Sequence, residues 1–374
     1  MRIAHVVPKG EQPWSGVLTV IVHLAAALAR HGHHVEVWQL HEWAQGDYAE
    51  QRTRLNRDGV VQVRLAGSRG VGGRAARLAD DRGIDVVHLH GAFNPSNTAV
   101  SRGLRRPYVF SPHSGYDPVS LARSRVRKRA YRLVFERTML RRAATIVALT
   151  DLELDDVRHF GATGPFAVIP NGVEPAPPNL DRQAFRRELG IPPDAPLAVF
   201  VGRLDVNRKG LDVLVRGVAD APPWRVALIG PPFRDVDRLA ELTRGLGAGD
   251  RVLMPGERHG ERLQEALGAA DVFTLLSRWE GLPMALLEAL ATSTPAVVSH
   301  EVERVLPVEA AGAGWAVDGG ELGPLLRRLQ DQDRDALRIR GAAALALAGR
   351  YDWGVVAERY GTTYEQAVVR STTG

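Results

Sequence analysis

At 374 residues the chain exceeds what one hydrophobic core comfortably serves, so two domains are expected. An apolar share of 45% with 24% charged residues is ordinary for a soluble globular protein, and the absence of cysteine excludes disulfides and thiolate chemistry and fits a reducing cytoplasm. The net charge of +5 is unevenly spread: Arg102 to Arg142 holds 12 Arg and Lys against Asp117 and Glu136, which points to one anionic partner surface and away from general nucleic-acid binding.

Arg2 to Val7 reads as a strand ended by Pro8, without a signal-peptide apolar region. Gly16 opens an amphipathic helix with Val17, Val20, Ile21, Leu24 and Leu28 on one face. The longest apolar run, Leu18 to Ala29, contains His23 and is too short to span a bilayer. His31, His33 and His34 flank Gly32 in a tight turn with no carboxylate at ligand spacing, so the turn is read as a helix C-cap and not a metal site. Strands follow at Val35 to Leu40 and Val60 to Leu65. Gly70-x-Gly72-x-x-Ala75 superficially matches a dinucleotide fingerprint, but its loop is long and the helix it opens, near Arg74 to Asp80, is short. The glycines are therefore expected in a surface loop.

Asp85 to Leu89 is a buried strand with His88, His90 and Gly91 at its carboxyl end, and Pro107 to Ser111 is another, running into SPHSGYDP. His113 then falls on a loop at the carboxyl edge of a parallel sheet, where open α/β sheets bind ligands. A long helix from Val119 to Arg142 bears Arg123, Arg127 and Lys128. It is either a solvated face or a docking face for anionic lipid headgroups or an acceptor diphosphate. Thr145 to Leu149 and Phe166 to Ile169 complete this sheet. Asn171-Gly172 is a turn, and Pro175, Pro177 and Pro178 stiffen the linker where the domain boundary belongs.

The second half restarts the βα pattern. Leu197 to Val201 is a strand followed by GRLDVNRKG and a helix from Leu211 to Ala219, so Arg203 and Lys209 flank one turn and can converge on an anion. Strands at Val226 to Ile229 and Val252 to Met254 precede a loop carrying Gly256 and Glu257. Asp271 to Ser277 is a buried strand, Gly281 sits in the next turn, and Pro283 suits the first position of a helix running from Met284 to Leu290. A strand, a Gly loop and a helix N-terminus make an anion site. Glu280 and Glu288 bracket it, and ionised carboxylates accept hydrogen bonds that sugar hydroxyls donate. A ligand with both phosphates and sugars, a nucleotide-sugar, fits the combination. Ala296 to Val298 is a further strand, Leu325 to Arg350 is mostly helical, and a last amphipathic helix follows Trp353 with Val355, Val356, Tyr360 and Tyr364.

The stretch from Glu280 to Glu288 resembles the E-x7-E region of family-4 retaining glycosyltransferases. VIPNGVE, the G-R-x…K-G element and the P-H loop resemble other motifs of that family. The resemblance implies a GT-B fold: two Rossmann-like domains facing across a cleft, with a C-terminal helix crossing back to the first. The expected division is 1–172 (acceptor side), 173–351 (donor) and 352–374 (the crossing helix). It further implies that Arg203 and Lys209 hold the donor diphosphate, Glu280 the sugar and Glu288 the ribose. Gly16 and the backbone of Gly281, Leu282 and Pro283 then approach the diphosphate, with Leu282-Pro283 standing where the family has an aromatic and Gly. Gly256 and Glu257 would lie near the nucleobase and His113 beside the donor sugar.

No metal or cofactor is expected. Asp235-x-Asp237, Asp331-x-Asp333 and Asp333-x-Asp335 fall in polar, helix-like segments, while Arg203, Lys209 and the helix N-terminus can supply the charge. The expected activity is retaining, metal-independent transfer from a UDP- or GDP-sugar to a lipid-linked saccharide, by a cytoplasmic protein peripheral to the inner membrane face. A soluble metabolite or natural-product scaffold is the rival acceptor. A nucleotide-sugar-binding protein without transfer is the rival of another class, and a nicotinamide oxidoreductase would need the Gly70–Gly73 stretch to bind dinucleotide.

Overall fold

The computed structural model describes residues 1–12, 15–41, 43, 48–65, 70–117, 121, 135–233, 236–331 and 334–373. The chain forms two compact units, Met1–Gly172 with Trp353–Gly374, and Val173–Asp352.

The first unit is built on seven strands: β1 (Arg2–Val7), β2 (His34–Gln39), β3 (Val61–Arg64), β4 (Val86–His90), β5 (Tyr108–Ser111), β6 (Thr145–Ala148) and β7 (Phe166–Val168). Their order is β3-β2-β1-β4-β5-β6-β7, every pair parallel. Helices between successive strands cover both faces, and β1 and β4 are accordingly buried along almost their whole length. His5 of β1 and His88 of β4 stand opposite each other in this register. The helix Gly16–Arg30 buries its apolar face and ends with Gly32 at φ 84, where the Gly32 and His33 amides cap Ala29 and Leu28, as a C-cap reading of the His-rich turn requires. The last helix, Trp353–Thr373, belongs to this unit and packs on Gly16–Arg30, with Tyr360 and Tyr364 buried.

One expectation fails. The glycines at 70–73 do not form a surface loop: the helix begins at Val71 and includes Gly72 and Gly73. A Cβ on Gly72 would lie 2.1 Å from the Ala99 carbonyl oxygen, and one on Gly103 would lie 2.3 Å from the Gly72 oxygen. The small residues let the helices Val71–Asp81 and Pro95–Gly103 touch backbone to backbone, a role with no dinucleotide in it. Of the long basic helix, Arg137–Arg142 is described as helical, while Arg123, Arg127 and Lys128 lie outside the described residues. The Leu325 to Arg350 stretch resolves into two helices, Leu322–Asp331 and Arg334–Gly349.

The second unit has six parallel strands: β8 (Leu197–Val201), β9 (Arg225–Ile229), β10 (Val252–Gly256), β11 (Val272–Leu275), β12 (Ala296–Ser299) and β13 (Gly314–Val317), in the order β10-β9-β8-β11-β12-β13. The buried Arg186 guanidinium ties this sheet's lower edge, pairing with Asp271 at 3.0 Å while the same carboxylate oxygen accepts the Leu197 amide at 2.8 Å. Strand order reverses between β1 and β4 in the first unit and between β8 and β11 in the second. Chains leaving such a pair diverge and open a crevice at the carboxyl edge. Among the described residues, no helix is long and apolar enough to cross a membrane.

Overpacking the Gly72 contact should be felt. Gly72→Ala is expected to lower the first unit's stability by about 1–3 kcal/mol, seen as a lower urea midpoint at unchanged slope. An unchanged midpoint would contradict the backbone contact.

Candidate functional site

The crevice of the second unit is assembled by a close approach. After β8, Asp205 caps a one-turn helix, Val206–Lys209, accepting the Arg208 amide at 3.0 Å. The turn then bends at Gly210, φ 63, whose absent Cβ would lie 2.1 Å from the Leu276 carbonyl at the end of β11. Only glycine permits both that backbone conformation and that distance. The contact lays the Lys209 loop on the Glu280 loop, and Lys209 Nζ donates to Glu280 Oε1. Ser277 Oγ donates to the same oxygen at 2.6 Å. Glu280 is nearly buried, 7% exposed, and Lys209 is 17% exposed. Glu280 Oε2 has no partner among the described residues and remains open as an acceptor.

Beyond Glu280 the chain passes Gly281 and Leu282 to Pro283, which caps the helix Met284–Ala291 from an extended conformation, one residue earlier than the sequence suggested. The first amides of that helix have no intrahelical acceptor and carry its positive end. Glu288 follows on the same helix, partly buried, and its carboxylate accepts no hydrogen bond from any described residue. Burial pushes its carboxyl up to about 7.

Sequence reasoning missed the brace that fixes these two loops. Arg278 binds Asp212 through two parallel bonds of 3.1 and 3.0 Å, and its amide donates to Arg208 O at 2.9 Å. Arg208 in turn lies over the Trp279 ring at 4.3 Å. Adjacent Arg and Trp beside Glu280 were the available signal, but a bidentate partner 66 residues away in sequence leaves no local trace.

Arg203 is placed differently from Lys209. It is exposed, with its guanidinium 5.2 Å from the Phe233 ring centroid, and no described carboxylate pairs with it. Gly256 ends β10, two strands from the β8–β11 reversal, and Glu257 follows it, exposed and 3.5 Å from His259.

In the first unit, Gly16 begins its helix directly after the cap residue Ser15, which accepts the Val17 amide at 3.2 Å. His113 and Ser114, after β5, both adopt left-handed backbone, φ 51 and 57, which is strained for residues with a side chain. Glu153 holds them there: one carboxylate oxygen accepts the Ser114 amide and the other the Leu149 amide at 2.7 Å. Burial raises the Glu153 carboxyl to about 7, and the two amides oppose that rise. The His113 ring reaches His90, Nε2 to Nδ1 at 3.0 Å, and its burial holds it neutral down to about 4.

Two family models cover most of the chain: Glycosyltransferase Family 4 over residues 14–176 and Glycosyl transferases group 1 over residues 181–331. The D-inositol 3-phosphate glycosyltransferase of Kineococcus radiotolerans is 30% identical over 94% of this chain and 91% of its own. The chain belongs to glycosyltransferase family 4. A second relative is the GDP-mannose:cellobiosyl-diphosphopolyprenol alpha-mannosyltransferase of Xanthomonas oryzae, 28% identical over 77% of this chain and 75% of that one. Anabaena HepE, solved with UDP and glucose, superposes with a TM-score of 0.79 at 18% identity, covering 98% and 99% of the two chains. The fold of this family-4 glycosyltransferase is thus GT-B, with two Rossmann-like parallel-sheet units.

The Glu288 carboxyl gives a stability test. Its folded value, about 7 against an ordinary 4.5, means the native state prefers the protonated acid. The cost of ionising it sets in as pH climbs past the unfolded value and is complete above the folded one. Glu288→Gln should gain about 1–3 kcal/mol over the wild type near pH 8, shrinking toward pH 5, in paired thermal melts. A gain equal at both pH values would contradict the assignment.

Proposed function

We propose that this glycosyltransferase moves a sugar from a nucleoside-diphosphate-sugar to a hydroxyl of a phosphate-bearing acceptor, with retention and without a metal ion. The observation that carries the reading is the Lys209–Glu280–Ser277 junction at the reversal of strand order in the second unit, beside an open helix N-terminus. In this reading the second unit binds the donor and the first the acceptor.

Breaking the sugar–phosphate bond leaves charge on the departing diphosphate. Lys209 has three N–H donors, of which Glu280 takes one, so two remain for phosphate oxygens. The amides after Gly281 add fixed partial charge, and Arg203, which pairs with no described carboxylate, supplies a second cation. Glu280 Oε2 accepts from a hydroxyl of the donor sugar, and Glu288 accepts from the ribose. By the family resemblance Gly16 is assigned to the diphosphate, His113 to the sugar, and the loop at Gly256 and Glu257 to the base. The departing phosphate takes the acceptor's proton on the face that it leaves, which gives retention without a protein nucleophile.

A phosphate-bearing acceptor is favoured by two observations. Both named relatives act on phosphorylated acceptors, an inositol phosphate and a diphosphopolyprenol saccharide, and the 102–142 segment concentrates positive charge. The near full-length likeness to the inositol phosphate enzyme favours a small soluble polyol phosphate; the lipid-linked saccharide at the inner membrane face is the second reading, resting on the weaker match and the basic segment.

The test is transfer by purified protein from UDP-, GDP- and ADP-sugars to inositol 3-phosphate and to a polyprenyl-diphosphate saccharide, in EDTA, with the product anomer read by NMR. Transfer with retention is expected, and an inverted product or a divalent-ion requirement would overturn the mechanism. Lys209→Ala should lose at least about tenfold in turnover and Arg203→Ala a similar amount, because one preorganised contact to developing charge contributes about 2.7–4 kcal/mol. Near wild-type turnover in both would remove the diphosphate assignment.

A further inference from the structure

Three imidazoles of the first unit form an unbroken file. His5 Nδ1 lies 3.0 Å from His90 Nε2, and His90 Nδ1 lies 3.0 Å from His113 Nε2. His5 and His90 are fully buried on adjacent strands β1 and β4, and their rings stack. His88 walls the file, its ring centroid 3.9 Å from that of His90, with both nitrogens already engaged: Nδ1 with Tyr364 Oη at 2.7 Å and Nε2 with Ser111 Oγ at 2.8 Å.

Burial keeps the rings neutral, holding His5 at about 3 and His113 at about 4, with His90 also well below its ordinary value. Each neutral ring carries one N–H, and each of the two bonds needs one N–H facing one lone pair. Only two arrangements satisfy both bonds, so the three tautomers are locked together. The ends decide between them. The outer end, His113 Nδ1, has no partner among the described residues and is not among the sealed-off polar atoms, so water accommodates it as donor or acceptor. The inner end, His5 Nε2, is buried with no partner among the described residues. One arrangement leaves an orphaned N–H there, the other only an unused lone pair. Orphaned buried N–H groups are the rarer of the two in folded proteins.

We propose that His5 and His90 are positioning residues that fix His113 as the neutral tautomer with its proton on Nδ1, aimed outward as a hydrogen-bond donor. Every ring then donates from Nδ1: His5 to His90, His90 to His113, and His113 to a ligand oxygen. The value of that donor to the reaction rests on the reading that His113 meets the donor sugar. An imidazole so fixed donates without carrying charge, so it can hold a sugar hydroxyl as acceptor while leaving the electrostatics of the diphosphate to Lys209 and the helix end. Nitrogens of His5, His88 and His90 also lie within 4.8 Å of one another, a spacing a metal ion could use. Ring-to-ring and ring-to-hydroxyl bonds account for all of those nitrogens except His5 Nε2, which favours the metal-free file.

Long-range 1H–15N correlation spectra of uniformly 15N-labelled full-length protein near neutral pH read the tautomer directly. The wild type should show His113 protonated on Nδ1. His90→Phe should release it toward the Nε2–H form, whereas His90→Gln, whose amide N–H can still donate to His113 Nε2, should keep Nδ1–H. In parallel, His90→Phe should lower donor kcat/KM by about tenfold, the worth of one hydrogen bond, with His90→Gln recovering most of it at equal thermal stability. A wild-type His113 protonated on Nε2, an unchanged tautomer in His90→Phe, or one tightly held equivalent of zinc by elemental analysis would overturn the file. Because the tautomer is read without turnover, a fully active His113→Ala variant would remove His113 from the reaction independently of that result.

Discussion

The second unit depends on one contact between neighbouring strand ends: the Lys209 ammonium on Glu280 Oε1, shared with the Ser277 hydroxyl. Removing both charges from most of their water costs energy that their attraction only partly offsets, so a pair this sheltered contributes little net stability. Its consequence is placement. It fixes a lysine with two donors beside a carboxylate with one oxygen that no described residue engages, and adjacent unlike groups of that kind match a ligand carrying phosphates on one side and hydroxyls on the other. The pair exists because Gly210 lets the backbone after β8 settle on the Leu276 carbonyl, and because Arg278 clamps Asp212 across the same two loops.

The first unit solves a similar problem by different chemistry. Its strand order also reverses, between β1 and β4, but what gathers there is neutral: His5, His90 and His113 in sequence, with Tyr364 and Ser111 closing the wall through His88. His113 is pinned twice, through its ring by His90 and through the next residue's amide by Glu153. Two consecutive left-handed residues persist only where surroundings over-determine them, and such strain gathers at sites that bind or react.

Much of this was legible from the residues. Strands of Val, Ile and Leu punctuated by Gly and Pro announced a parallel α/β sheet in each half, and the positions of Arg203, Lys209, Glu280 and Glu288 after their strands followed from period and punctuation. Lys209 and Glu280 do meet, but Arg203 instead faces Phe233, because a long side chain on a loop has no pattern that fixes its rotamer. Gly72 was misread because a glycine that serves a helix–helix contact looks, in one dimension, like a glycine that serves a turn; the distinction lies in Ala99 and Gly103. The histidine file was half visible, since His88, His90 and His113 stood at strand ends, but His5 entered only through the β1–β4 register.

The pairing of Lys209 with Glu280 as one ligand-binding unit is best tested by a double-mutant cycle on nucleotide affinity. UDP and GDP would be titrated calorimetrically into the wild type, Lys209→Ala, Glu280→Gln and the double variant, in EDTA. Residues that share a ligand and each other should be non-additive by more than about 0.5 kcal/mol for the nucleotide that binds. Additive losses, or affinities that none of the substitutions changes, would contradict a shared site.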